Sequence, residues 1–224
     1  MGLKEIWNRL RGIVIFGIFY LTAFFFMEAR DVPVHIIHTK FDDAIPFCKY
    51  FIIPYVLWYV YVCGTVLYLG LNDRKRKEYN HFIANMILGM VVFVLTSLIY
   101  PNGQDLRPVL TGNDLFTKAV NLLYTIDTPT NILPSLHVFA SFACDMALCR
   151  DPWFKKRPMW QWISHLLTVL ICLSTMFLKQ HSTIDVLAAL LCNGLFYPMV
   201  YHWDPQKIHS SARKKQVQRP ETES

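Results

Sequence analysis

Charge is scarce in this chain. Only 17% of its 224 residues are Asp, Glu, Lys or Arg, while 54% are hydrophobic and 15% aromatic. Soluble domains of this size carry about a quarter charged residues, so an ordinary water-facing surface is excluded, and so is intrinsic disorder. Cysteine is limited to six scattered residues, which excludes a small disulfide scaffold. No repeat is visible, and no Gly/Ser-rich or Pro-rich linker marks a second domain. Acidic residues are outnumbered 16 to 22, and the net charge of +6 on its own would admit nucleic acid or an anionic membrane as partner.

What is present is a series of long apolar runs between short polar breaks. They read as six spans, at 12–28, 47–71, 82–100, 131–149, 162–180 and 183–203, each near the ~20 residues that cross ~30 Å of hydrocarbon. The first run follows Lys4, Arg9 and Arg11, as a signal peptide would. Phe24, Phe25, Phe26, Met27 and Glu28 stand where a small-residue cleavage site would be, so it reads as a retained anchor. The expected fold is an all-α, polytopic membrane bundle of six transmembrane helices over 1–203, followed by a basic, disordered tail at 204–224.

Basic residues orient the bundle. Sixteen of the 22 fall at the N-terminus, at 74–77, at 150–157 and in the tail, all on one side of a six-span plan. Both termini are therefore expected in the cytoplasm, and Trp7, Trp153, Trp160, Trp162 and Trp203 lie near the same boundary. By this partition the inner side carries +9, the outer side −2, and Asp145 within the fourth span the remaining −1. The basic balance thus reports orientation, with contact to anionic lipid headgroups as a further role, and gives no support for nucleic acid.

Polar residues interrupt the apolar pattern in three stretches, all expected at the outer boundary of a cell-membrane protein. They are Tyr100–Pro108, Asp127–His137 and Lys179–Asp185. His181 and Asp185, four apart, share one helix face. Asp185 would fix the imidazole tautomer and leave the other nitrogen free to attack or to take a proton; a plain helix–helix contact and a metal pair are the other readings. His137 follows Pro134-Ser135 at a helix start, where Thr130 or Asn131 is expected to cap. Free N–H groups and the helix dipole there favour an anion such as phosphate. Arg107 offers a planar fork and Lys179 a mobile charge. Two histidines, an aspartate, two cations and a helix N-terminus make a kit for phosphoryl transfer.

Pro134-Ser135-Leu136-His137, followed by His181 and Asp185, resembles the type 2 phosphatidic acid phosphatase superfamily. Its members include lipid phosphate phosphatases and relatives such as sphingomyelin and inositol phosphorylceramide synthases. The stretches from Asp127 to Val138 and from Lys179 onward look like its bacterial integral-membrane branch, and the likeness runs from Asp42 to about Tyr201. The resemblance implies His181 as nucleophile, Asp185 as its orienting partner, His137 as general acid, and Arg107 and Ser135 as phosphate ligands. It implies a phosphohistidine intermediate, a lipid phosphate substrate, and no metal or other cofactor.

Three positions depart from the family pattern. Tyr100 stands where the family has lysine, Leu136 where it has glycine and Thr175 where it has arginine, while Pro108 and Ser174 match. Lys179 is expected to replace part of the missing charge. The acceptor, water or a lipid alcohol, stays open, and a non-catalytic scaffold or lipid-binding protein that kept the fold is the alternative. Asp42 and Asp43 are expected to cap the second span. Asp145 lies deep in the fourth and needs a partner inside the bundle. His35, His38, His81, His165, His202 and His209 read as interfacial, and the cysteines as small apolar packers without a disulfide.

Overall fold

The computed structural model describes residues 3–30, 32–72 and 75–201. The expected tail at 204–224, Arg74 and the last two residues of the sixth expected span lie outside them. Helices dominate, at 74% of the chain. Among the described residues they are α1 (Leu3–Glu28), α2 (Lys40–Ala44), α3 (Ile52–Gly70), α4 (Arg76–Ile99), α5 (Leu115–Ile126), α6 (Leu136–Arg150), α7 (Pro152–Lys155), α8 (Pro158–Phe177) and α9 (Thr183–Tyr201). A 3₁₀ turn, Lys49–Phe51, leads into α3, and two short strands, β1 (His35–Ile36) and β2 (Asn102–Gly103), pair in parallel.

Among the described residues, four segments are long and apolar enough to cross a membrane: Lys49–Gly70, Arg76–Ile99, Pro158–Phe177 and Thr183–Tyr201. Their most apolar stretches are only 22–33% buried inside the protein. The remainder faces outward as Val56, Val60 and Leu67 on α3, Val91 and Leu95 on α4, and Leu187, Leu191 and Leu195 on α9. An exposed apolar surface of that extent belongs against lipid. The other two expected spans differ. α1 is long enough, at 26 residues, but among the described residues its apolar stretch is Gly17–Met27, and α6 has only 15 residues, about 22 Å of helix.

The short α6 is the centre of the bundle. Val138, Phe139, Ala140, Ala143, Cys144, Ala147 and Leu148 are all buried, so the helix is covered on every side rather than on one stripe. It packs against α8, α4, α9 and α3. Gly89 lets α4 come close, because a Cβ there would lie 2.1 Å from the Phe139 ring. Around α6 the buried residues form two groups. Tyr61, Leu69, Tyr79, Phe82, Ala147 and Ile171 fill one end, and Val138, Phe139, Cys172, Val186 and Ala189 the other.

The connecting segments gather at the end where α6 begins. β1 pairs with β2 in the register His35 to Asn102 and Ile36 to Gly103, and Gly103 also bridges to Thr130. The Asn102 side chain accepts from the N–H groups of Ile132 and Leu133 at 2.9 and 3.0 Å. That holds 131–135 out of the helix, so α6 starts at Leu136 with Ser135 as its N-cap, and neither Thr130 nor Asn131 caps it as expected. The Asp42 expectation also changes. Asp42 lies in α2, where it completes a capping box with Thr39, and does not cap α3. The amphipathic α5, capped by Asp114, was not anticipated.

Candidate active site

His181 sits in the turn between α8 and α9. The chain leaves α8 through Lys179, whose φ of 54° is left-handed, and the N–H groups of Gln180 and His181 both donate to the Thr175 carbonyl, at 2.9 and 3.1 Å. This is a tight helix C-terminus. Two residues on, α9 begins, and its first turn is closed by Asp185, whose Oδ2 accepts from the Ser182 N–H at 2.8 Å. The same Oδ2 lies 3.5 Å from His181 Nδ1. His181 is 8% exposed and Asp185 fully buried, and neither Nδ1 nor Asp185 Oδ1 has a hydrogen-bond partner.

His137, in the first turn of α6, brings the second imidazole. Its ring rests between Tyr55 and Trp58, with centroids 4.5 and 4.4 Å away, and faces His181 at 5.9 Å. Its Nε2 is buried and has no hydrogen-bond partner. Unpaired buried polar atoms are uncommon in native structures. Here three of them sit on the two histidines and Asp185, beside a cavity of about 40 Å³. Asp127, Thr130, Asn131, Gln180, His137 and His181 form its polar side, and Phe24, Phe93, Ile132 and Leu136 its apolar side.

The starts of the two helices are tied together. The Ser135 N–H donates to the Asp185 carbonyl at 3.2 Å. The Ser135 hydroxyl is buried and accepts from the Val138 N–H at 3.4 Å, so it works as a cap at the rim. Asp42 holds the α9 start from the other side, accepting from the Ser182 hydroxyl at 2.6 Å and the Thr183 N–H at 2.8 Å. Burial pushes this carboxyl up, but the hydrogen bonds from Ser182, Thr183 and Thr39 outweigh it and hold Asp42 below the usual carboxylate range.

The expected cations are not in the cavity wall. Arg107 lies over the Tyr124 ring at 4.5 Å and donates to the Tyr124 carbonyl and to the Gln180 side chain, so it reaches the cavity through Gln180. Lys179 is turned elsewhere. Its ammonium donates to the carbonyls of Asp42 at 2.6 Å and Ile45 at 2.5 Å, and the residue is 9% exposed. Thr175 is fully buried with its hydroxyl on the Cys172 carbonyl, and Tyr100 stacks on His35 at 4.5 Å. Among the described residues no Lys or Arg lines the cavity.

The structure therefore brings together His137, His181, Asp185 and the capped start of α6, and places Arg107 one side chain away. Sequence reasoning assigned no role to Asp127 or Gln180, and to Asn131 only a capping one, although all three lie in the polar stretches it singled out. Tyr55, Trp58, Phe24 and Phe93 carried no signal, because they reach the site only through helix packing. Among the described residues, the group of side chains with metal-ligating geometry is Asp145, Cys149 and His165, at the opposite end of α6. Comparison with known protein families, characterised proteins and solved structures finds no match to this chain.

Proposed function

We propose that this protein is a membrane phosphohydrolase or phosphotransferase that acts on a lipid phosphate or diphosphate through a phosphohistidine. The observation that carries the reading is the pair of imidazoles from two helix starts, 5.9 Å apart across one cavity, with Asp185 beside His181. His181 Nε2 attacks phosphorus and the P–O bond to the lipid breaks. His137, protonated, gives its proton to the leaving oxygen. Water or a lipid alcohol then gives its proton back to His137 as it attacks, and the P–N bond breaks. The 3.5 Å between Asp185 and His181 is of the loose kind that tightens when substrate binds.

Phosphate is held by the N–H groups at the start of α6 and by Arg107, which exchanges Gln180 for a phosphoryl oxygen. Lys179, whose ammonium is already committed, is a clamp on α2. The same reading has six spans, with α1 and α6 completing the four membrane-length helices, both termini cytoplasmic, and the cavity on the outer leaflet of the cell membrane. Its resemblance to type 2 phosphatidic acid phosphatases rests on Pro134, Ser135, His137, His181 and Asp185. The lack of any Lys or Arg in the cavity wall among the described residues favours a second reading, a lipid-binding protein that has kept the fold without the chemistry.

The two readings separate in one experiment. Purified protein is given phosphatidate, phosphatidylglycerophosphate, a prenyl diphosphate and a lipid alcohol acceptor, with chelator present. The enzyme reading expects phosphate release or headgroup transfer that His181→Ala abolishes and His137→Ala lowers by about 10²–10⁴-fold. Arg107→Ala should lower kcat/KM roughly 10- to 150-fold, the equivalent of one charge-assisted hydrogen bond. Lys179→Ala should instead lower the unfolding midpoint. Turnover that survives in His181→Ala, or is absent from wild type with every donor, leaves the second reading.

A further inference from the structure

The C-terminal end of α6 carries a second polar cluster that the histidine cavity does not use. Asp145 and Cys149 are four residues apart on α6, and His165 faces them from α8. Asp145 Oδ2 lies 2.7 Å from His165 Nδ1. Cys149 Sγ lies 3.7 Å from Asp145 Oδ1 and 3.9 Å from His165 Nε2. The donor atoms of the three residues all fall within 4.8 Å of one another. Behind them, the Ser164 hydroxyl donates to Asp145 Oδ1 at 2.6 Å and is itself met by Tyr61 of α3 at 2.6 Å.

We propose that Asp145, Cys149 and His165 bind a divalent cation of the zinc(II) class, at a site separate from the histidine cavity. Geometry allows it. Bonds of about 2.0–2.3 Å in a tetrahedral site put its ligand atoms roughly 3.3–3.7 Å apart. With one donor atom taken from each residue, the three lie within 4.8 Å of one another, about 1 Å beyond that spacing at most, so rotations of the side chains close the shell. Two ligands come from one helix and one from its neighbour, leaving the fourth position to water.

Charge and ligand type choose the ion. A thiolate and a carboxylate together carry −2, which a divalent cation cancels next to hydrocarbon, where an uncompensated Asp145 is costly. One sulfur, one imidazole nitrogen and one carboxylate oxygen suit zinc, whereas magnesium and calcium require shells of oxygen. Ser164, held by Tyr61, orients the carboxylate in the way that outer hydrogen bonds position metal ligands. The His165 side chain is 46% exposed, so an ion has a way in. Binding forms three coordinate bonds and expels the Cys149 thiol proton, so one proton enters solvent for each ion bound.

The site would fasten the end of α6 to α8, the two helices whose far ends carry His137 and the turn with His181. Binding of metal does not depend on the phosphotransfer reading, and the test reads metal directly. Full-length protein in detergent, with any affinity tag removed, is stripped with chelator and titrated with cobalt(II). One cobalt per chain is expected, with a thiolate-to-cobalt charge-transfer band, four-coordinate visible bands, and a metal-dependent rise in the unfolding midpoint. Cys149→Ser should abolish the charge-transfer band. His165→Ala and Asp145→Asn should weaken binding about 100-fold or more, and Ser164→Ala about 10- to 100-fold.

His181→Ala, Cys63→Ser and Cys192→Ser should bind as wild type does. Metal-free midpoints of Cys149→Ser and wild type should agree, which separates a lost ligand from a lost fold. A charge-transfer band that persists in Cys149→Ser would overturn the proposal. So would wild-type protein that takes up no more cobalt or zinc than Cys149→Ser, or binding untouched by both His165→Ala and Asp145→Asn.

Discussion

One buried carboxylate, Asp42, does more for the candidate site than its place in the sequence suggests. It is 2% exposed and accepts from Thr39 N–H, Thr39 Oγ, Ser182 Oγ and Thr183 N–H, at 2.6–2.9 Å. Its own carbonyl takes the Lys179 ammonium. The segment around α2 is thereby locked onto the residues on both sides of His181. Asp42→Asn keeps the volume but sets an amide NH₂ against donors, and each buried donor left unpaired costs about 1–3 kcal/mol. The variant should unfold at a lower temperature, and its kcat should fall more than its KM rises. The pH dependence has a definite sign. A carboxyl held below its unfolded pKa contributes fully above that value, about 4, and the contribution is lost as pH falls through the folded value. Thermal unfolding followed from pH 7 to pH 3 should show the gap between wild type and Asp42→Asn closing below about pH 4. A gap constant across that range would mean that the ionised form is not what holds the loop.

Helices make the sequence legible only where their length and periodicity are strong. α3, α4, α8 and α9 follow from unbroken apolar runs, and their ends lie within a few residues of the runs that announce them. α5 was hidden because 12 amphipathic residues give no bilayer-length signal, although Asp114 ahead of Leu115 is an ordinary N-cap. α6 was assigned as a span because its composition is apolar. Composition cannot separate a helix facing lipid from one wrapped by other helices, and the difference lies in residues such as Gly89. That glycine is where α4 crosses α6, with the Phe139 ring 2.1 Å from the position of a Cβ. Gly89→Ala must push Phe139 or the whole helix aside, and overpacking of this kind costs about 1–3 kcal/mol. Phe139 lies two residues from His137, so the shift should also reach the site. Gly17→Ala, at a position with open space around it, should change neither quantity. Unfolding midpoints and turnover of both variants in detergent check the difference. Equal midpoints would show that the α4–α6 contact has slack.

At the scale of the whole molecule, site chemistry and membrane orientation come from different parts of the sequence. That His137, His181 and Asp185 come together follows from local features, a helix start and a spacing of four, although His181 lies in the turn before α9 and not, as expected, on one helix face with Asp185. The places of Gln180, Asp127 and the Asp42 clamp do not, because they depend on loops that meet only after α6, α8 and α9 have packed. Orientation follows from charge, and here 16 of 22 basic residues fall on one side of the proposed six-span plan. That side also holds the Asp145–Cys149–His165 cluster, and the other side the histidine cavity. The proposed plan is open to a labelling test. With the six native cysteines replaced, Thr111→Cys before α5 should react with a membrane-impermeant maleimide on intact cells. Ser210→Cys in the tail and Lys156→Cys after α7 should react only after the membrane is opened. Tail labelling on intact cells would remove one span or reverse the orientation. Labelling of 156 from outside would put the cation cluster on the exterior, and zinc would then have to be taken from there rather than from the cytoplasm.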